Sequence, residues 1–386
     1  MINKKWTVTL TLMLILLASS ALWSFEYDQS LSGDGRRDLR SANIHLGGER
    51  YDQALPLYQS ILEENPYHLE SLEKVAGIYY ELEQDFATAY TYYDRIIEVI
   101  EGIFDEYERL QEVDSGEARS FYRSNIRRED LEDRLNNAYV LRGNCWLYLF
   151  QQGREQFQEN NLEEALQMFE ELYTLAPDSV NTLTMLGSIH HLQDDVDKAL
   201  EYYEDVVELE PGNVQIRQQL ASIYFQRQEY DNAIVHYVKN TELEPENPDH
   251  FFNKAICYIQ MGDIENAYQA LQQVIELEPE NLDALIYASS YGQQLGKEEE
   301  AAQYLMRAAD INPDDLEIIQ QLSFTLYRLE KYEDLLKYAA MWRDLEPEST
   351  EALQFLYHAA RQAGETELEN KYEKLLRERE ESLDLE

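Results

Sequence analysis

The chain has 386 residues, with 76 acidic against 32 basic side chains and a formal net charge of −44. Such a surface excludes nucleic acid as a partner, because phosphate binding needs clustered cations that release counterions, and it disfavours docking on anionic lipid headgroups. A hydrophobic content of 44% still supplies a core, which excludes a globally disordered chain.

At the start, Lys4 and Lys5 precede "WTVTLTLMLILLASSALWSF", which carries no charge from Trp6 to Phe25. A basic start, an apolar centre and small residues (Ser19 and Ala21 at −3 and −1 of a cut after Ala21) compose a secretory signal. The run is also about long enough to span a bilayer at ~1.5 Å per residue. Residues 1–25 are therefore read as a signal peptide or a signal anchor. Both readings place the remainder outside the cytoplasm, periplasmic, secreted or anchored facing outward, with the lysines inside. Membrane contact is expected only through residues 6–25, if they stay uncleaved.

The rest of the chain is ruled by one interval. Proline stands at 177, 211, 245, 279, 313 and 347, each 34 residues after the last. An interval of this size signals an array of small helical units. With the proline as position 32, position 8 is Gly187, Ala221, Ala255, Ser289 and Ser323, and position 20 is Ala199, Ala233, Ala267, Ala301 and then Leu335. Small residues at both places let two antiparallel helices approach closely. Position 34 is Ser179, Asn213, Asn247, Asn281, Asp315 or Ser349, each a good N-cap for the next helix. Gly262, Gly296 and Gly364 occupy position 15, where the first helix must stop and turn. Proline closes the second helix because it cannot donate a helical hydrogen bond.

Taken along the chain, residues 35–101 hold two units. Ala42, Ala54, Tyr58 and Pro66 mark the first; Gly77, Tyr80, Ala89 and Tyr93 mark the second, which lacks a closing proline. From Pro66 to Pro177 is 111 residues, three intervals plus nine, so residues 102–145 contain an insertion. "DSG" at 114–116 reads as a turn. Glu101, Asp105, Glu108 and Glu112 precede it, and Arg119, Arg123 and Arg127 follow at every fourth residue. An elongated helical hairpin zipped by these charges is the expected form, with the Arg119–Arg123–Arg127 stripe as a secondary candidate surface for an acidic partner. Residues 146–349 hold six units in strict register. Residues 350–386 are expected to form capping helices.

The pattern resembles the tetratricopeptide repeat: 34 residues, a small residue at 8, alanine at 20, a large residue near 24 and proline at 32. The resemblance implies an all-α fold, a right-handed α-solenoid of helix-turn-helix repeats with a concave groove. In that family the groove is lined by the first helix of each repeat, mainly through positions 2, 5, 9, 12 and 13. Across the four repeats from 180 to 315, only Asp249 and Asp283 are charged among the residues at those positions. Gln218, Ser222, Phe225, Gln226, Phe252, Ile256, Gln260, Gln293 and Gln294 are the candidate peptide-binding residues, with Phe225 and Phe252 expected to share one apolar patch. The lysine–asparagine clamp for C-terminal carboxylates is broken in the first two repeats, where Leu39, Asn43, Lys74 and Ile78 stand.

No residue pattern points to catalysis, a metal or a cofactor. His190 and His191 are adjacent rather than four apart, so they do not face one ion. The acidic runs lack the glycine-centred spacing of a calcium loop. The two cysteines, Cys145 and Cys257, lie more than three repeats apart, beyond disulfide reach for helices packed about 8–10 Å from one another. The expectation is an exported, non-enzymatic scaffold that binds protein or peptide segments, in envelope assembly or maintenance. A membrane-tethered adaptor is the alternative, and a homo-oligomer is compatible with either.

Overall fold

A computed structural model describes Tyr27, residues 29–113, Gly116 and residues 128–383. The apolar N-terminal run and the Arg119, Arg123 and Arg127 stripe lie outside these residues. The described chain is all-α, with eighteen α-helices arranged as helix pairs. Its contacts divide into two compact units, meeting in the sequence at Gln193 and Asp194.

The first unit contains α1 (Gly33–Gly47), α2 (Tyr51–Glu64), α3 (Leu69–Ile78), α4 (Phe86–Val113), α5 (Arg128–Gln158), α6 (Leu162–Leu175) and α7 (Val180–Leu192). Ala42 and Ala54 are fully buried where α1 meets α2. The next pair departs from the rule. A π-helical segment, Tyr79–Glu83, follows α3 and ends on left-handed Gln84. It inserts one residue: the buried alanines of this pair are Ala76 and Ala89, thirteen apart where other repeats have twelve. Ala76, not the expected Gly77, fills the seam, and a Cβ on Gly77 would meet open space. A π-turn is the usual way to absorb such an insertion.

The second helix of that pair does not stop. Helix α4 runs 28 residues and α5 runs 31, and α5 continues unbroken through 145–146. Ile96, Ile100, Ile103 and Leu110 of α4 are buried in one cluster with Leu131, Ala138 and Cys145 of α5. Arg142 of α5 pairs with Asp94 of α4 and lies over the Tyr90 ring, while Arg128 lies over Phe104.

The second unit is regular. It contains α8 (Val196–Leu209), α9 (Val214–Gln226), α10 (Tyr230–Leu243), α11 (Pro248–Met261), α12 (Ile264–Leu277), α13 (Leu282–Gln294), α14 (Glu298–Ile311), α15 (Leu316–Arg328), α16 (Tyr332–Leu345), α17 (Thr350–Ala363) and α18 (Thr366–Leu383). Every expected N-cap closes its helix by a side-chain acceptor. Asn213 receives the Ile216 N–H, Asn247 that of Asp249, Asn281 that of Ala284, and Ser349 that of Ala352; Asp315 receives two, from Glu317 and Ile318. In the first unit Ser179 caps α7 in the same way.

Between the two helices of each pair the chain turns through one left-handed residue. Gly262, Gly296 and Gly364 take it with φ of 75°, 74° and 77°, while Gln228 and Glu330 are forced into it at 61° and 56°. The same geometry returns at position 15 whether or not glycine is present, so the turn is set by the packing of the pair and glycine only lowers its cost. The seam residues Ala221, Ala233, Ala255, Ala267, Ala301 and Ser323 are all fully buried. Leu335, the exception at position 20, is fully buried as well and joins Trp342, Tyr338 and Leu322 in the C-terminal cluster.

Candidate functional site

The first helices of the second unit, α9, α11, α13, α15 and α17, present the positions that the repeat register assigns to a groove. The two expected anchors pack on different groups of residues. Phe225 on α9 is half-buried and packs on a cluster of Ala221, Ala233, Tyr237 and Cys257, with its ring edge-on to Tyr230 at 5.3 Å. Phe252 on α11 instead packs against the C-terminal cluster, its ring 6.3 Å from that of Tyr287. Ser222 and Ile256 are half-buried, and Gln226, Gln260 and Gln294 are exposed.

Two of the expected amides face other side chains of the protein. Gln218 is half-buried beside the Tyr237 phenol, which burial pushes up to about 12. The Gln293 amide donates to Thr325 Oγ1 at 3.2 Å, and its carbonyl accepts from Arg328 Nη2 at 2.9 Å. Gln293 thus ties α13 to α15 across adjacent repeats and is a wall of the surface as much as a free hand on it.

That tie borders a cleft of about 440 Å³ between α13 and α15, lined by Ser290, Gln293, Gln321, Phe324, Tyr327 and Arg328. Phe324 is 45% exposed and Tyr327 40%, large values for aromatic rings. Their inner edges are held from behind. Phe324 lies 5.0 Å from Phe355 and 5.7 Å from the buried Trp342, and Tyr327 lies 5.2 Å from Phe355 and 5.0 Å from His358. A ring braced on one side and open on the other costs little entropy when a partner covers it. Arg328 brings no free charge to the cleft, because Glu298 Oε2 sits 2.9 Å from its Nη2.

Phe324 and Tyr327 occupy positions 9 and 12 of the repeat that follows Asp315, one repeat beyond the span in which groove residues were expected. The register alone identifies them once it is carried forward. Tyr287 and Phe355 stand at position 6, which the register did not assign to the groove, and only the packing reveals them.

Cys145 and Cys257 are buried and unbonded, and burial raises their thiols to about 12 and about 11, so they stay protonated and act as packing groups. Among the described residues no three His, Cys, Asp or Glu side chains converge to hold a metal, and no helix is long and apolar enough to cross a membrane.

A sequence profile of the family described as "Anaphase-promoting complex, cyclosome, subunit 3" matches residues 158–240 and 226–308. No curated protein matches the chain. Among solved structures, YrrB, described as a TPR protein with an unusual peptide-binding site, shares 18% identity over 45% of this chain and 89% of its own, with a TM-score of 0.38. MamA from Desulfovibrio magneticus RS-1 shares 14% identity over 44% of this chain and 95% of its own, with a TM-score of 0.37. PilF of Pseudomonas aeruginosa shares 16% identity over 54% of this chain and 96% of its own, with a TM-score of 0.36. With its 34-residue helix pairs, buried small residues at position 8 and mostly at position 20, and a capped start to each pair from α7 onward, the chain folds as tetratricopeptide-like helix-turn-helix repeats.

Proposed function

We propose that the protein is an exported scaffold that captures polypeptide segments on the exposed face of its first helices, and that it serves the assembly or maintenance of a bacterial-type envelope. The observation that carries the binding half is the face itself. In a chain of net charge −44, the first helices of the second unit keep amides, hydroxyls and half-open aromatic rings at most of their groove positions, the two cations there, Arg328 and Arg361, are paired, and acids are confined to the first turns. Amides and hydroxyls satisfy a peptide backbone, and a few aromatic anchors supply most of the energy in such contacts. Residues 1–25, with their lysines and uncharged run, support the export half.

A photo-reactive phenylalanine placed at Gln260 or Gln294, both exposed on first helices, should yield discrete protein adducts in cells. The same group at Gln273 or Glu276, exposed on the second helix α12, should yield few. Equal yields from both helices, or none from either, would remove the groove from consideration. A reporter fused after residue 40 should be active only outside the cytoplasm, and cytoplasmic activity would sink the export reading. Sequencing the mature N-terminus then distinguishes a cleaved signal from a tethered adaptor.

A further inference from the structure

The acids on this face form a row that begins at α11, one repeat before the first exposed ring, Tyr287 of α13. Asp249, Asp283, Glu317 and Glu351 are each the second residue of α11, α13, α15 and α17, and all four are exposed. The corresponding residues of α7 and α9 are Asn181 and Gln215. First-turn acids complement the helix dipole, yet that reason applies equally to α7 and α9. Among the described residues no cation pairs with any of the four, whereas Arg328 and Arg361 nearby are paired with Glu298 and Glu369. The one side-chain contact of the row is within its own helix, from Gln321 Nε2 to Glu317 Oε1 at 3.2 Å.

One helical turn inward from each acid comes the second row. Phe252 follows Asp249 by three residues, Tyr287 follows Asp283 by four and Phe355 follows Glu351 by four, spacings that share a helix face. In α15 the cleft-lining Gln321 takes that place and Phe324 and Tyr327 lie beyond it. A turn rises about 5.4 Å, a gap that a lysine or arginine side chain spans while its stem lies on the rings.

We infer that the segment bound at the α13–α15 cleft is a basic one, an extended stretch in which apolar or aromatic side chains alternate with lysine or arginine. The apolar side chains enter the cleft against Phe324 and Tyr327; Glu317 lies about 10–15 Å from these rings along α15, so the basic side chains that reach Asp283 and Glu317 are those about three or four residues farther along the extended segment. The inference rests on the segment-binding reading above and adds the charge and chemistry of the partner. The two rows have different work. Rim carboxylates steer encounter and select the sign of the partner, whereas braced aromatic rings set how long it stays.

The test uses the full chain and a labelled twelve-residue peptide of alternating lysine and leucine with one phenylalanine, beside a glutamate-for-lysine and a serine-for-leucine version. The basic apolar peptide should bind, with association slowing steeply as salt rises, and the other two should bind at least about tenfold more weakly. Asp283→Asn with Glu317→Gln should lower the association rate by roughly five- to tenfold and flatten its salt dependence. Tyr327→Ala should raise the dissociation rate by about tenfold. Because Tyr327 also touches Phe355, Ser290→Trp serves as a second variant that fills the cleft from an exposed position; it should abolish binding with an unchanged helical melting curve. Parental rate constants in both Tyr327→Ala and Ser290→Trp overturn the assignment. So does equal binding of the acidic and basic peptides, though that result leaves segment binding intact. No binding by any peptide, together with no adducts at Gln260 or Gln294, overturns both readings.

Discussion

The α3–α5 region and the run of repeats from α9 to α17 are built from the same helix pairs but closed by different means. In the regular run, each helix is 13 or 14 residues long and its limits are local. An Asn, Asp or Ser caps the start of each first helix, a left-handed residue closes its end, and a proline follows two residues after the second helix. In the α3–α5 region the second closing proline is absent, α4 and α5 overrun to 28 and 31 residues, and contacts far apart in sequence align them. Ile100 against the Leu131–Cys145 face, Arg142 on Asp94 and Arg134 on Glu73 are such contacts. A local device needs only its own few residues, so it can be copied every 34. A long-range device needs a partner about 40–60 residues away that arrives only when the fold does.

The largest expected effect tests whether the long pair depends on its buried seam. Ile100→Ala removes a fully buried side chain and should cost about 2–5 kcal/mol in denaturant unfolding. A loss under about 1 kcal/mol would mean that the surface cross-links, not the seam, hold α4 to α5.

The next concerns the regular run, where a polar group is buried at a helix contact. His236 on α10 stacks on Tyr224 at 5.8 Å, and burial, with the Arg217 guanidinium second, lowers its imidazole to about 4. The folded state therefore prefers the neutral ring and the unfolded chain takes the proton first. The preference costs nothing above about pH 6.5, and stability falls as pH drops from there through about 4. Allowing for partial exposure, the loss is about 2 kcal/mol, and His236→Gln should remove that part of the acid profile. An unchanged profile in the variant would locate the acid sensitivity elsewhere.

The smallest effects set the two devices side by side. Asp315→Ala deletes a cap that accepts two N–H groups and should cost about 1 kcal/mol. Arg142→Met removes a partly exposed pair with Asp94 while keeping the stem, and should cost about 0.5 kcal/mol or less. If chemical unfolding ranks these two in the opposite order, cross-linking charge matters more in the overrun region than the comparison holds.

The groove shows how unevenly function was legible. Positions 9 and 12 of the repeat are readable from spacing alone, and the same register that selects Phe225 also selects Phe324 and Tyr327. Spacing does not reveal that Phe225 leans on Tyr237 and Cys257 while Phe252 turns toward Tyr287, nor that Gln293 is held by Thr325 and Arg328. Most of those contacts join residues about one repeat apart, and which side chain fills a gap between repeats depends on the volumes and rotamers of both sides at once.

What the sequence determined by itself is the set of elements that close within a few residues. The caps at Asn213, Asn281 and Asp315, the closing prolines and the small seam residues at 8 and 20 belong here, because each acts through the backbone of its own turn or by the absence of a side chain. The tertiary structure alone decided the rest. It absorbed the extra residue before Ala89 into a π-turn at Tyr79–Glu83, chose Ala76 over Gly77 for the seam, and left the Phe324 and Tyr327 rings open over a core that holds their inner edges. Packing takes the side chain that fits the space, and that space exists only after neighbouring repeats have met.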